Sequence, residues 1–555
     1  MYLALRLVQC CRHGTRPPPY KKGWHVKNNS ARGLSPTTPK ATRKNTEQLR
    51  ILATLISLSL CACGGGGGTS QPSPNPVPTG GSNPNPVPTG PNPVPTISAL
   101  FPSCAPAGEQ FIDGADNQLS VIGPYPTPAP GFGAGSVVRW NGGDRPTAAN
   151  GSVNGLTAQI SASDIAAAGT AVVTVFNPAP GGGSSNSLTF TITPGAVNPL
   201  SIAVDPTGKF AYVMNGGCNG GAGGYVSMYT INPTTGALAS IGPPVFTNGY
   251  GADPGSGSVA VAPSGKFLYV TNSGDYWDYG DGADGSVAMY TINATTGVLT
   301  STGTINGNCP GSCFPSSMVV DPSGKFAYVA SGGFVASGGG PVPSNVGIYT
   351  VNATTGALTS IGTIAVAAGT DTVSVAVDPA GKFAYVVNGI VGSAGNVSMF
   401  AINAATGALA STGTIAAGTD PVFVAVDPSG KFAYVTNSGS NDVSMYTIDA
   451  TSGALTSTGT IAAGTDPVSV AVDPSGKFAY AANFGSNDVS MYTINSTSGS
   501  LTLIGTIAAG LSPTSIAIHP SGKFAYVTNS GANDLSMYSI DSATGALTLI
   551  GTIDT

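Results

Sequence analysis

The sequence predicts an all-β chain, a seven-bladed β-propeller with an N-terminal immunoglobulin-like β-sandwich, and three observations carry that prediction. The phrase Asp427-Pro-Ser-Gly-Lys-Phe-Ala-Tyr-Val-Thr-Asn437 recurs seven times with small changes, its lysine falling at Lys209, Lys266, Lys325, Lys382, Lys431, Lys477 and Lys523. Each copy is followed by a phrase of the type Val-Ser-Met-Tyr-Thr-Ile-Asp and then by one of the type Gly-Ala-Leu-Thr-Ser-Thr-Gly-Thr-Ile, so each repeat supplies four short strands. Ahead of the repeats, residues 97–193 alternate as short strands between turn-rich stretches, the pattern of a two-sheet sandwich.

The first 63 residues form a segment of their own, with eleven Lys/Arg and one acid, Glu47. Lys40 to Arg50 runs into the apolar stretch Ile51 to Leu60, which is too short to span a bilayer and reads as a signal peptide. Its end, Leu60-Cys61-Ala62-Cys63-Gly64, resembles a bacterial lipobox, in which Cys63 carries the lipid; an uncleaved N-terminal anchor is the alternative. Gly64 after the cysteine resembles the pattern of lipoproteins sent to the outer membrane, so the expected location is the bacterial envelope, as an outer-membrane lipoprotein or on the extracellular surface. Residues 1–39 precede any signal and point to a mis-assigned start codon. Within them Arg12-His13-Gly14-Thr15-Arg16-Pro17 matches the phosphate-pocket motif of histidine acid phosphatases. The chain's three histidines, His13, His25 and His519, include none followed by Asp, so the match is read as chance.

Residues 64–96 are a linker: five glycines, then three copies of Pro-Asn-Pro-Val-Pro-Thr. Such a tether of about thirty residues reaches up to roughly 100 Å and lifts the folded domains off a surface. In the sandwich, Leu156-Thr-Ala-Gln-Ile-Ser-Ala-Ser-Asp-Ile-Ala-Ala-Ala-Gly169 and Asn177-Pro-Ala-Pro-Gly-Gly-Gly183 resemble IPT/TIG immunoglobulin-like domains of bacterial surface proteins. That resemblance implies a spacer or a glycan- or protein-binding module. Trp140 is expected in its core.

Residues 194–555 are assigned to the propeller. Phe432 and Tyr434 point to one face of their strand and Ala433 and Val435 to the other, both apolar, as expected of a sheet sandwiched between neighbours. Asp427-Pro-Ser-Gly430 is a turn by chemistry: Asp caps it, Pro presets φ and Gly accepts positive φ. The lysines then ring one face as solvated turn residues, and no strand is left over for a closing exchange between blades one and seven. Val-Ala-Val-Asp-Pro-Ser-Gly-Lys-Phe-Ala-Tyr-Val-Thr-Asn and Met-Tyr-Thr-Ile-Asp-x-x-x-Gly-Ala-Leu resemble the YVTN-repeat and lactonase-like propellers that include 6-phosphogluconolactonase. The resemblance implies the fold and, in its enzymatic members, acid, histidine and arginine side chains around the channel mouth.

After Cys63 the chain has nine Lys/Arg against twenty-four acids, which makes nucleic acid an unfitting partner. From residue 194 onward there are nineteen Asp and seven Lys, no Arg, no Glu and one histidine, His519, which replaces the turn Asp in blade seven and is expected to be solvated. Lactone opening needs a base or a metal hydroxide plus a donor for the carbonyl oxygen, and no such set can be placed.

The lysine spacings of 57, 59, 57, 49, 46 and 46 put extra length in blades one to four, in 215–224, 274–285, 331–345, 389–396 and 246–257, at the face opposite the lysines. Asp275, Asp278, Asp281 and Asp284 in one such loop form a candidate Ca²⁺ site, and Tyr276, Trp277 and Tyr279 a candidate sugar-stacking surface; a charged rim is the alternative. Besides Cys63, the cysteines after residue 63 are Cys104, Cys218, Cys309 and Cys313. Cys309 and Cys313 are placed to close a small disulfide loop, with Cys218 on the same face and three pairings open. The leading expectation is a lipid-anchored surface protein whose propeller binds glycan or protein without catalysis and meets the membrane only through its lipid. A lactonase-like hydrolase is the runner-up.

Overall fold

The computed structural model describes residues 92–101, 103–107, 118–123, 132–133, 135–150, 155–193, 198–216, 224–247, 257–272, 285–306, 314–332, 344–366, 371–390 and 392–555. Apart from one short 3-10 turn, Ala162–Ile165, its regular elements are strands.

The N-terminal module is a two-sheet sandwich. One sheet orders Ala99–Phe101, Gln118–Ile122, Gly155–Gln159 and Thr147–Asn150; the other orders Cys104–Pro106, Leu188–Thr193, Gly169–Asn177, Val137–Trp140 and Gly143–Asp144, with Gly183–Ser184 paired onto Gly169–Asn177. Alternation along Ala171, Val173 and Val175 sends every second side chain inward, against Leu119, Val121, Leu156 and Ala158 of the facing sheet. Trp140 is buried there, its ring 5.0 Å from that of Phe190, as expected of a core residue.

Beyond residue 198 the strands form seven separate sheets, six of them built from four consecutive strands and the first from five, because its fourth strand is broken into Leu238–Ser240 and Val245–Phe246, both paired with Tyr225–Ile231. Blade five is representative: Pro421–Val426, Phe432–Asn437, Asp442–Ile448 and Leu455–Ala462. First strands contact first strands from blade to blade, so they line the centre and the fourth strands form the rim. Every residue of the second strand Phe432–Asn437 is buried, because both faces of the sheet are covered by neighbouring blades.

One contact repeats at every joint. The second-strand tyrosine of each blade donates its hydroxyl to a glycine carbonyl in the turn between strands three and four of the next: Tyr212 to Gly297, Tyr269 to Gly356, Tyr328 to Gly407, Tyr385 to Gly453, Tyr434 to Gly499 and Tyr480 to Gly545, at 2.8–3.0 Å. The seventh bond, Tyr526 to Gly236 at 2.9 Å, joins blade seven to blade one. These glycines hold positive φ, and each lies against the phenylalanine that opens the neighbouring second strand, where a Cβ would collide with the ring.

The ring therefore closes without strand exchange. Its closing joint is a cluster like the others, with Ile202, Val213, Tyr229 and Leu238 of blade one packed on Phe524, Tyr526, Leu535 and Met537 of blade seven. Asn533 holds both edges of that joint: its side chain accepts the Asn198 N–H at 2.8 Å and its carbonyl the Thr555 N–H at 3.2 Å.

Candidate functional site

The propeller presents two chemically different faces. On one lie the turns between strands one and two. In blade five Asp427 is buried, its Oδ1 accepting the N–H groups of Lys431 and Phe432 at 2.7 Å and its Oδ2 the Ser429 N–H at 3.0 Å. The turn backbone and a proline thus fold around one carboxylate, which leaves the lysine side chain in water; all seven turn lysines are exposed. The acids of this face, Asp205, Asp321, Asp378, Asp427, Asp473, Asp449 and Asp541, equal the lysines in number, so the face is balanced in charge.

His519 departs from expectation. It is 7 % exposed rather than solvated. Its Nδ1 accepts the Ser521 N–H at 3.0 Å, as Asp427 accepts that of Ser429, so Nε2 carries the proton and donates to the Gly208 carbonyl of blade one at 2.8 Å. The imidazole is long enough to cap its own turn and still reach the next blade. A carboxylate placed there would face a carbonyl with no proton to share.

The opposite face holds the channel mouth, where first strands begin. Among the described residues every charged group at this end is an aspartate: Asp371, Asp420, Asp442, Asp466, Asp488, Asp534 and Asp554. Buried asparagines at the ends of second strands fix several of them. Asn437, Asn483 and Asn529 donate to Asp442, Asp488 and Asp534 at 2.6, 2.6 and 2.7 Å, and also to Ser444, Ser490 and Ser536. Asn441 and Asn487, at positive φ, accept the N–H groups of Asp466 and Ser512 in the following blade at 2.7 Å, as Asn533 does for Asn198. The Asn-Asp pairs 441–442, 487–488 and 533–534 are the sequence signal for this latch. Asp420 Oδ1 accepts the Gly392 N–H at 2.6 Å. Burial pushes the Asp371 carboxyl above the ordinary aspartate range.

The residues singled out from the sequence, Asp275, Tyr276, Trp277, Asp278, Tyr279, Asp281, Asp284, Cys309, Cys313 and Cys63, all lie outside the described residues. The strand ends flanking that loop, Asn272 and Ser286, are at the aspartate face. Among the described residues no three His, Cys, Asp or Glu side chains gather to hold a metal ion. Cys104 is disulfide-bonded, a role its sequence context does not signal.

Seven blades around a channel, balanced in charge on one face and, among the described residues, acidic on the other, define a β-propeller of the seven-bladed class. The family model described as "Lactonase, 7-bladed beta-propeller" matches residues 165–373, 340–472 and 465–555, and the chain belongs to that family. Among solved structures, a candidate 6-phosphogluconolactonase of Bacteroides uniformis is 18 % identical, with a TM-score of 0.51 over 64 % of this chain and 96 % of its own. The periplasmic gluconolactonase PpgL of Pseudomonas aeruginosa is also 18 % identical, with a TM-score of 0.50 over 60 % of this chain and 93 % of its own. At that identity the likeness concerns the fold. No curated protein matches the sequence.

Proposed function

We infer that this member of the lactonase propeller family is a binding protein of the bacterial envelope, held by a lipid on Cys63 and presenting its aspartate face to a glycan or protein ligand. The observation that carries the non-catalytic reading is the commitment of His519. It is the propeller's single histidine, and both ring nitrogens are engaged in a turn and a blade joint on the face away from the mouth. With no Arg and no Glu from residue 194 onward, a phosphorylated sugar acid would meet aspartates at the mouth, and like charges repel. The lipobox-like Cys63, the Pro-rich tether and the IPT/TIG-like sandwich support the envelope setting as a way of holding the propeller clear of the membrane.

Lactone hydrolysis is the second reading, favoured by Asp371. Burial raises the affinity of this channel-mouth carboxyl for a proton, which is the direction a general base needs. The purified protein would be assayed on a panel of lactones, phosphorylated and not, beside a glycan array. Binding without turnover is the expected result. Turnover abolished by Asp371→Asn would overturn the binding reading in favour of the hydrolase.

A further inference from the structure

The outer rim is made by fourth strands, each paired on one side only. At the same two positions of these strands blades two, four and five carry Ser301-Thr302, Ser411-Thr412 and Ser457-Thr458. Blades six and seven carry Leu503-Ile504 and Leu549-Ile550 instead, 48, 38, 50 and 41 % exposed. The backbone is the same in both cases. Ser457 stands opposite Tyr446, Leu503 opposite Tyr492 and Leu549 opposite Tyr538, each beside the same register shift. A serine therefore satisfies the first position within the blade, where Leu503 and Leu549 stand half exposed; at the second position blade three also carries an exposed isoleucine, Ile361, so the paired Leu-Ile strip is what sets blades six and seven apart.

The two strips share a sequence: Leu501 to Ile507 and Leu547 to Ile553 both read LTLIGTI. They contain no Lys, Arg, Pro or aromatic residue, the guards that usually keep an open strand edge from pairing. A membrane surface would be met by basic or interfacial aromatic side chains, which these strips lack.

We propose that the rim of blades six and seven is a homodimer surface, its occupant a second copy of this chain. A two-fold axis between the two blades sets the strip of blade six in one copy against the identical strip of blade seven in the other, so one operation covers both at once. Two strands of eight residues, each about 27 Å long and roughly 10 Å or more apart, bury on the order of 1,000 Å² over both partners, near the lower bound of a specific interface.

The test uses the full chain carrying Cys63→Ala, so that no lipid contributes to association. Sedimentation velocity from about 1 to 100 µM should show monomer converting to dimer, an affinity range that fits so small a surface. The variant Leu503→Ser, Ile504→Thr, Leu549→Ser, Ile550→Thr uses the residues of blade five and should stay monomeric with an unchanged melting curve. Leu503→Cys protein mixed with Leu549→Cys protein should cross-link under mild oxidation, and neither alone should do so. A parent protein that is monomeric throughout, a dimer indifferent to the four substitutions, association with lipid vesicles alone, or no cross-link specific to the mixture would overturn the proposal.

Discussion

Raising the pH should unfold the ring in one steep step. Burial raises the pKa of thirteen of the chain's twenty tyrosines, among them Tyr349, Tyr492 and Tyr538, pushed up to about 12, and Tyr229 and Tyr290, pushed higher. In the unfolded chain a tyrosine ionises near pH 10. Because the folded values are raised, their contribution to stability is complete below about pH 10 and is lost as the pH climbs toward the folded values. At pH 11 each of those five costs about 1.4 kcal/mol, or about 7 kcal/mol together, against a typical domain stability of about 5–15 kcal/mol. The second-strand tyrosines, from Tyr212 to Tyr526, act in the same direction. Absorbance at 295 nm, which reports tyrosinate, should stay low and then rise together with loss of near-ultraviolet circular dichroism between roughly pH 10 and 11.5. A titration in which most tyrosines ionise while the circular dichroism stays native would refute the reasoning.

His519→Asp should restore the turn cap of the sister blades yet lose the bond to Gly208, lowering stability by about 1–2 kcal/mol in chemical denaturation; an unchanged midpoint would show that the joint does not depend on it. Gly236→Ala meets both a positive φ and the Phe524 ring, whereas Gly324→Ala meets a positive φ with open space beside it. The first should cost at least about 1 kcal/mol more than the second. If Asp275, Asp278, Asp281 and Asp284 share a Ca²⁺, free ion at a hundred times the dissociation constant adds about 2.7 kcal/mol, so EGTA should lower the melting temperature and Asp278→Ala with Asp281→Ala should abolish the shift. Cys63→Ala should move the protein from the membrane fraction to the soluble one, and unchanged partitioning would count against the lipid.

The blade count is legible in the sequence because each repeat carries its own turn, strands and packing residues in one contiguous phrase. What those residues touch is not. Tyr434 reaches Gly499 and His519 reaches Gly208, pairs 65 and 311 residues apart that only the closed ring brings together. Sequence alone places His519 in water, because a substitution in a solvated turn gives no sign of a partner in the neighbouring blade. The Asn-Asp latch is visible as a repeated pair, but its role depends on a positive φ at the asparagine, which the sequence does not display. Of the mouth aspartates, Asp371, Asp420 and Asp466 close a thrice-repeated Ala-Ala-Gly-Thr-Asp where one repeat passes to the next, outside the strand and turn phrases that make the blades readable.

A ring whose every blade is covalently continuous has no seam in its pairing. Asn533 gathers Asn198 and Thr555 into one small region, so a short glycine linker could join those two points while the chain is opened elsewhere. Opening it at the turn before any blade would break no ladder hydrogen bond, and the seven tyrosine-to-glycine bonds would all remain within reach. The order in which blades follow one another along the polypeptide is thus a matter of where translation starts, not of how the disc is held.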